Sequence, residues 1–264
     1  MSGRAIPIDC EHVAELIPLQ GLIVSAFAVL LSLACGLAHA LTQDEVAAGA
    51  AKLYQERIAA LARADMLDRD RAFMVRIERI VQRLSAQAMR DAPQAPALAW
   101  EVHASDDSDD NASCMAGGKL LISQAFVERL GLTDAELAMV LSHEMQHAIL
   151  RHNLKEYEEA LRLDPSWLAK PFSQLEYAVD NDDRLMAKLS TINFEQEVEA
   201  DRAGMVMAWR AGWRGAALAG YFRKMEQVSS ASHLGSATHP APLQRWRAAR
   251  SLAQVLDRSA AGSP

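Results

Sequence analysis

Cysteine is scarce in this chain, with three in 264 residues, at Cys10, Cys35 and Cys114. Cleavage after residue 40 would leave Cys114 alone, and one thiol makes no internal disulfide. The domain must therefore be held by its core rather than by covalent staples. Positive charge is in deficit too: 27 Lys and Arg face 34 Asp and Glu, for a formal net charge of -7. That argues against nucleic acid as a partner, since phosphate binding needs a basic face. Internal repeats and an interdomain linker are missing as well. A chain that is 50% hydrophobic and 23% charged then reads as one globular domain with a real core, over residues 41–264.

Charge is absent altogether from Gly21 to Leu41, "GLIVSAFAVLLSLACGLAHAL". The run ends in Ala38-His39-Ala40, a small-x-small pattern suited to signal peptidase. About 20 apolar residues also span a bilayer core. Residues 1–40 are thus expected to be a signal peptide or an N-terminal membrane anchor, with cleavage preferred. If the segment is retained, residues 21–41 are the route to membrane association. The lead into the run is weakly basic, with Arg4 against Asp9, Glu11 and Glu15. Ser-Leu-Ala before Cys35 is a weak lipoprotein signal. On either account the remainder is expected to be exported, to a bacterial periplasm or the outer face of the inner membrane.

Beyond this segment, Thr42-Gln-Asp-Glu45 is a capping box opening a helix to about Arg63. A second helix is predicted from about Asp68 to Met89, with Phe73, Val75, Ile77, Ile80, Val81 and Leu84 as its apolar face; Pro93 and Pro96 stop it. Residues 97–105 and 117–123 read as strands. The acidic "DDSDDN" between them lacks the order of a calcium loop and reads as solvated. Thr133-Asp-Ala-Glu136 caps a core helix with Leu137, Val140, Leu141, Met145, Ala148 and Ile149 as its stripe. Short helices are expected over 153–192. Longer ones follow over 193–211, 215–228 and 243–256, with a Ser/Gly/Pro loop at 229–242. The predicted class is α+β, predominantly helical, with a small antiparallel sheet beside the core helix.

That helix carries "LSHEMQHAILRH". His143 and His147 lie one turn apart on one face, so two imidazoles can meet at one point, which suits tetrahedral zinc. Glu144 stands beside that face and can reach a fourth ligand rather than the metal. A zinc-bound water has its pKa lowered to about 7, and a carboxylate there can take its proton as it attacks a carbonyl. The bland alternative is an ordinary helix whose histidines cap or pair with neighbours. A third ligand is on offer in "FEQEVEADRAG", through Glu195, Glu197 or Glu199. Glu197 and Asp201 share a face at i and i+4. One can bind zinc while the other accepts a hydrogen bond from a ligand histidine. Alternating glutamates are otherwise a solvated face, but the following "AGMVMAW" argues against a wholly exposed helix.

"LTDAELAMVLSHEMQHAILRH" together with "EQEVEADRAG" resembles the HtpX/BepA-like zinc metallopeptidases, relatives of the CAAX prenyl protease and of Oma-type peptidases. The resemblance covers about residues 70–255 and implies a zincin-like core. It implies one Zn2+ per chain on His143, His147 and Glu197, with Glu144 as general base. Asp201 would accept from a ligand histidine, and Glu199 would not be a ligand. "NASCMAGGKLLIS" resembles the family's Asn-Ala-Phe-x-x-Gly-Gly segment, beside which peptide substrate adds to a strand edge. That implies substrate binding at Asn111, Ala112, Gly117 and Gly118. Ser113 and Cys114 depart from the usual aromatic and small pair, which alters the shape expected of the groove. "THPAPLQRW" resembles the family's Thr-His-Pro segment, implying His239 near the metal, as a stabiliser of the tetrahedral intermediate or as a plug, with Arg245 an anchor. Unlike these relatives, the chain shows neither several transmembrane helices nor helical repeats.

The function so implied is a zinc metalloendopeptidase acting on misfolded or envelope proteins. One alternative is an autoinhibited chaperone-like or adaptor protein that binds unfolded envelope proteins and rarely cuts. Another is a structural zinc protein, disfavoured by Glu144, for which such a site has no use. His152 is expected to continue the helix past the metal face and to pack at its end.

Overall fold

In the computed structural model, residues 41–93, 98–229 and 239–261 are described. The expected signal or anchor segment, residues 1–40, lies outside them, as does most of the Ser/Gly/Pro loop. Among the described residues no helix is long and apolar enough to cross a membrane.

Both capping boxes form. Thr42 opens α1 (Gln43–Arg63), and Glu45 returns its carboxylate to the Thr42 N–H at 2.9 Å. Helix α2 (Arg71–Asp91) is capped by Asp70 and starts a little after the expected Asp68. Asp68 adopts φ +52° and accepts from Ala104 N at 2.7 Å, tying the start of α2 to the sheet.

The sheet comprises β1 (Glu101–Ser105), β2 (Ala112–Met115) and β3 (Lys119–Ser123), in the order β1-β3-β2. The two strands read from the sequence and expected in an antiparallel sheet, β1 and β3, are parallel, while β2 and β3 are antiparallel, so the sheet is mixed. The reason is the unforeseen strand β2. The acidic loop carries the chain past the β3 position, β2 runs back, and β3 then fills the middle alongside β1. The turn between β2 and β3 needs left-handed backbone at Gly117 and Gly118, φ +82° and +86°. The acidic loop is pinned rather than merely solvated: Arg57 of α1 meets Asp107 at 2.9 Å and Asp110 at 2.8 Å.

Ser123 ends β3 and caps α3 (Gln124–Arg129). Helix α4 (Asp134–Ile149) follows, with 11 of its 16 residues buried. Such all-round burial marks a central helix. It packs on α2, on β2, and on α7 (Asp183–Arg210), its most extensive neighbour. The region expected to hold short helices contains α5 (His152–Leu163), a 3-10 turn (Pro165–Ala169) and α6 (Phe172–Asn181). Helix α7 begins ten residues before the expected 193, because Asp182 accepts from Arg184 N and Leu185 N. The helix expected over 215–228 is two, α8 (Gly215–Leu218) and α9 (Gly220–Val228); α10 (Pro242–Ala261) closes the chain.

The main core joins α2, the sheet, α4, α7, α9 and α10 around Ile77, Leu84, Leu120, Ile122, Leu137, Leu141, Met145 and Phe222. A second cluster, including Val46, Tyr157, Leu175, Val179 and Leu189, fastens α1, α5 and α6 to the first turns of α7. Helix α4 lies in the first of these clusters and cannot tilt without disturbing the main core.

Candidate metal centre

Helix α4 presents His143 and His147 from its buried face, with their Nε2 atoms 3.2 Å apart. Helix α7 adds Glu197, whose Oε1 is 3.3 Å from His147 Nε2 and whose Oε2 is 3.5 Å from His143 Nε2. Glu195 and Glu199 are not in this group; Glu199 Oε2 lies instead 3.2 Å from His152 Nε2. Ligands about 2.0–2.1 Å from a tetrahedral zinc stand about 3.3–3.4 Å apart, which is the spacing of these three donors. Glu197 Oε2 is buried and receives no hydrogen bond among the described residues. Two ring nitrogens and a carboxylate facing one point fit a divalent cation, and three protein donors are the number that a catalytic zinc takes.

Close helix approach sets this geometry. A Cβ on Gly204 of α7 would fall 2.9 Å from His143 N and 3.0 Å from Ser142 C, so only glycine lets the helices meet there. Asp201, one turn beyond Glu197, lies 2.9 Å from His143 Nδ1. Arg245 of α10 grips Asp201 with two bonds of 2.8 and 2.7 Å, and its third nitrogen is 3.5 Å from Glu197 Oε2. One guanidinium thus fixes both carboxylates, a planar two-pronged match that lysine does not offer.

The electrostatics follow from burial and these pairs. Burial opposes charge on His143, but Asp201 and Glu197 overcome it and push its pKa up to about 10. Burial would raise Glu197, but His143 and His147 hold it well below the usual carboxylate range. Glu144 shows the reverse: burial pushes its pKa up, against the pull of His143 and His147. A carboxylate so raised is a better proton acceptor near neutral pH. Cys114 of β2 is buried within its electrostatic reach, and burial keeps that thiol protonated.

His239 reaches the same place from the segment before α10. Its Nε2 is 3.6 Å from Glu197 Oε2, while its side chain stays 54% exposed. Ala112 begins β2, and Asn111 just before it accepts Ser123 N through its carbonyl at 2.7 Å. Gly117 and Gly118 sit at the other end of β2, where a Cβ would meet Ala47 and Trp100 respectively. Their neighbours are therefore α1 and the start of β1, and the metal donors are not among them. The strand between these two ends lies along α4.

His152 departs from expectation. It does not continue the metal helix: Arg151 adopts φ +58° and ψ +40°, and α5 starts afresh at His152. Its side chain is 1% exposed and more than a packing group, with Nδ1 3.1 Å from His147 Nδ1 and Nε2 3.2 Å from Glu199 Oε2. What the sequence reading missed is thus the chain of contacts from His147 through His152 to Glu199. The signal for them was the histidine five positions after His147 and the alternate glutamate after Glu197.

A family model described as "Peptidase family M48" matches residues 74–253. The chain is similar to the Beta-barrel assembly-enhancing protease of Yersinia pestis, 31% identical over 160 residues, covering 55% of this chain and 33% of that protein. It is 27% identical over 180 residues to the mitochondrial Metalloendopeptidase OMA1 of Bos taurus, covering 63% and 34%. To the Beta-barrel assembly-enhancing protease of Escherichia coli it is 27% identical over 165 residues, covering 57% and 34%. The match spans about a third of the length of these relatives.

Proposed function

The chain belongs to peptidase family M48 and is a metallopeptidase, and on that premise we propose that it is a zinc-dependent endopeptidase cutting protein chains docked along β2. The observation that carries this is the triangle of His143, His147 and Glu197, with Glu144 next to it on the same helix. Zinc held by these three residues would supply a Lewis acid and lower the pKa of a bound water to about 7.

The chain's own residues do the rest. Asp201, clamped by Arg245, holds His143 in the ring orientation that turns Nε2 to the metal. Glu144 takes the proton of the attacking water, which its raised pKa favours, and passes it to the leaving amine. Strand β2 pairs on one side only among the described residues, and its other edge offers main-chain groups to an extended peptide from Ala112 to Met115. Asn111, Gly117 and Gly118 shape the two ends of that edge. His239, beside Glu197, is placed to steady the oxyanion or to cover the resting site. The proposed substrates are misfolded or envelope proteins met after export, through a signal peptide or anchor in residues 1–40.

The test is Glu144→Gln. It should keep zinc content and lose cleavage of an unfolded protein by a factor of about 100 or more. Unchanged turnover would refute the assignment. His239→Ala in the same assay separates its two roles: faster cleavage marks a cover, slower cleavage a stabiliser. Tight substrate binding by wild type without cleavage under any of these conditions would favour an adaptor instead.

A further inference from the structure

Each ligand histidine leans on a different support. His143 turns Nδ1 to the clamped carboxylate of Asp201, 2.9 Å away. His147 rests on another imidazole, His152, which leads to Glu199. We propose that His152 and Glu199 form a positioning relay that selects the metal-competent tautomer of His147.

The assignment follows from the atoms that face each other. To give a metal its Nε2 lone pair, neutral His147 must carry its proton on Nδ1. That N–H points at His152 Nδ1, 3.1 Å away, which must then be an acceptor. A neutral His152 accepting at Nδ1 carries its own proton on Nε2, 3.2 Å from Glu199 Oε2. All three contacts are satisfied at once. The opposite order would set a lone pair of His152 against the Glu199 carboxylate and place the His147 proton on Nε2, toward the metal. Glu199 excludes that order, so a carboxylate outside the ligand set decides where the ligand's proton sits.

The backbone supports the same conclusion. In an unbroken helix, residues five apart point about 140° away from each other. His152 meets His147 only because Arg151 is left-handed, a conformation costing a non-glycine residue about 1 kcal/mol. Helix α7 secures the far side: Gln196 donates to the His152 carbonyl at 3.3 Å, and Glu199 lies 3.9 Å from Lys155. His152 itself is 1% exposed, so water does not replace it as the acceptor.

The inference rests on the metallopeptidase assignment, and the experiment separates the two. Zinc affinity is measured on the full chain by competition with a chromogenic chelator, alongside the melting temperature of the metal-free protein. His152→Phe and His152→Gln remove the acceptor at the Nδ1 position and should weaken zinc binding about 10- to 100-fold. His152→Asn puts an amide oxygen at that position and should restore most of the affinity. Glu199→Gln accepts or donates equally well, so tautomer selection is lost and binding falls by a smaller factor. If wild type binds zinc and His143→Ala does not, yet all His152 variants bind like wild type, the relay is refuted and the metal site stands. Affinity losses that merely follow metal-free melting temperature, with Asn no better than Phe, also refute it. A wild type that binds no zinc overturns both.

Discussion

Adding one methyl group at Gly204 tests whether the metal centre depends on the separation of α4 and α7. The new Cβ of Gly204→Ala would lie 2.9 Å from His143 N, 3.0 Å from His143 Cα and 3.0 Å from Ser142 C. Non-bonded carbons prefer about 3.5–4.0 Å. The obstacle is backbone of a buried helix, which cannot rotate aside, so the helices must part by about 0.5–1 Å. Overpacking of this kind costs about 1–3 kcal/mol, against about 1 kcal/mol gained by alanine in a helix interior. The metal-free protein should therefore be between unchanged and about 2 kcal/mol less stable, with the melting temperature down by at most about 8 °C. The metal should be affected more. The 3.3 and 3.5 Å spacings run between the helices, whereas the 3.2 Å spacing lies within α4. Parting the helices stretches only the first two, past the spacing of about 3.3–3.4 Å that tetrahedral zinc sets. Zinc affinity should fall about tenfold or more, read by chelator competition beside a metal-free melt. Wild-type affinity and stability together would show that the contact has slack and that Gly204 does not set the site.

Two further outcomes are expected away from the metal. Lys224→Met leaves the Glu136 carboxylate, 5% exposed, without the ammonium at 2.7 Å, and should cost about 2–3 kcal/mol at pH 7, since the Thr133 bonds remain. Burial pushes the Glu136 pKa up, but Lys224 and Thr133 hold it below the usual value, so its stabilisation is present above the unfolded pKa of about 4.3 and is lost as pH falls through the folded one. Urea melts should thus show the gap between variant and wild type narrowing below about pH 4; a gap independent of pH would refute the pairing argument. Arg151→Gly relieves the left-handed backbone and should change stability by between zero and about +1 kcal/mol, whereas Arg151→Val should lose about 1 kcal/mol or more. The reverse order in denaturant titrations would mean that the break before His152 is unstrained.

The legible parts of this chain are those decided locally. Two capping boxes sit within four residues each, and both helices start where those residues place them. The His143–His147 spacing is a property of a single helix turn. What escaped the sequence depended on distant partners. Strand β2 has little alternation of its own and exists because β3 pairs with it, which also makes β1 and β3 parallel. The acidic loop looked solvated because its counter-charge, Arg57, lies some fifty residues earlier. His152 was misjudged for a sharper reason. One backbone dihedral at Arg151 turns it from the far face of a helix onto His147, and no glycine or asparagine stands there to announce the turn.

The supports of the three donors also set the ligands apart from His239. His143 and Glu197 are tied through Asp201 and Arg245 to α10, and the backbone of His143 abuts Gly204. His147 is tied through His152 and Glu199 to α5 and α7. Every helix carrying a donor is thus braced against another helix, and rearrangement there would disturb core packing. His239 lies 3.6 Å from Glu197 with its side chain half exposed, in the segment preceding α10. It follows that His239→Ala should change cleavage while leaving zinc affinity within about twofold, whereas Arg245→Lys, which loses the two-pronged grip on Asp201, should lower both together.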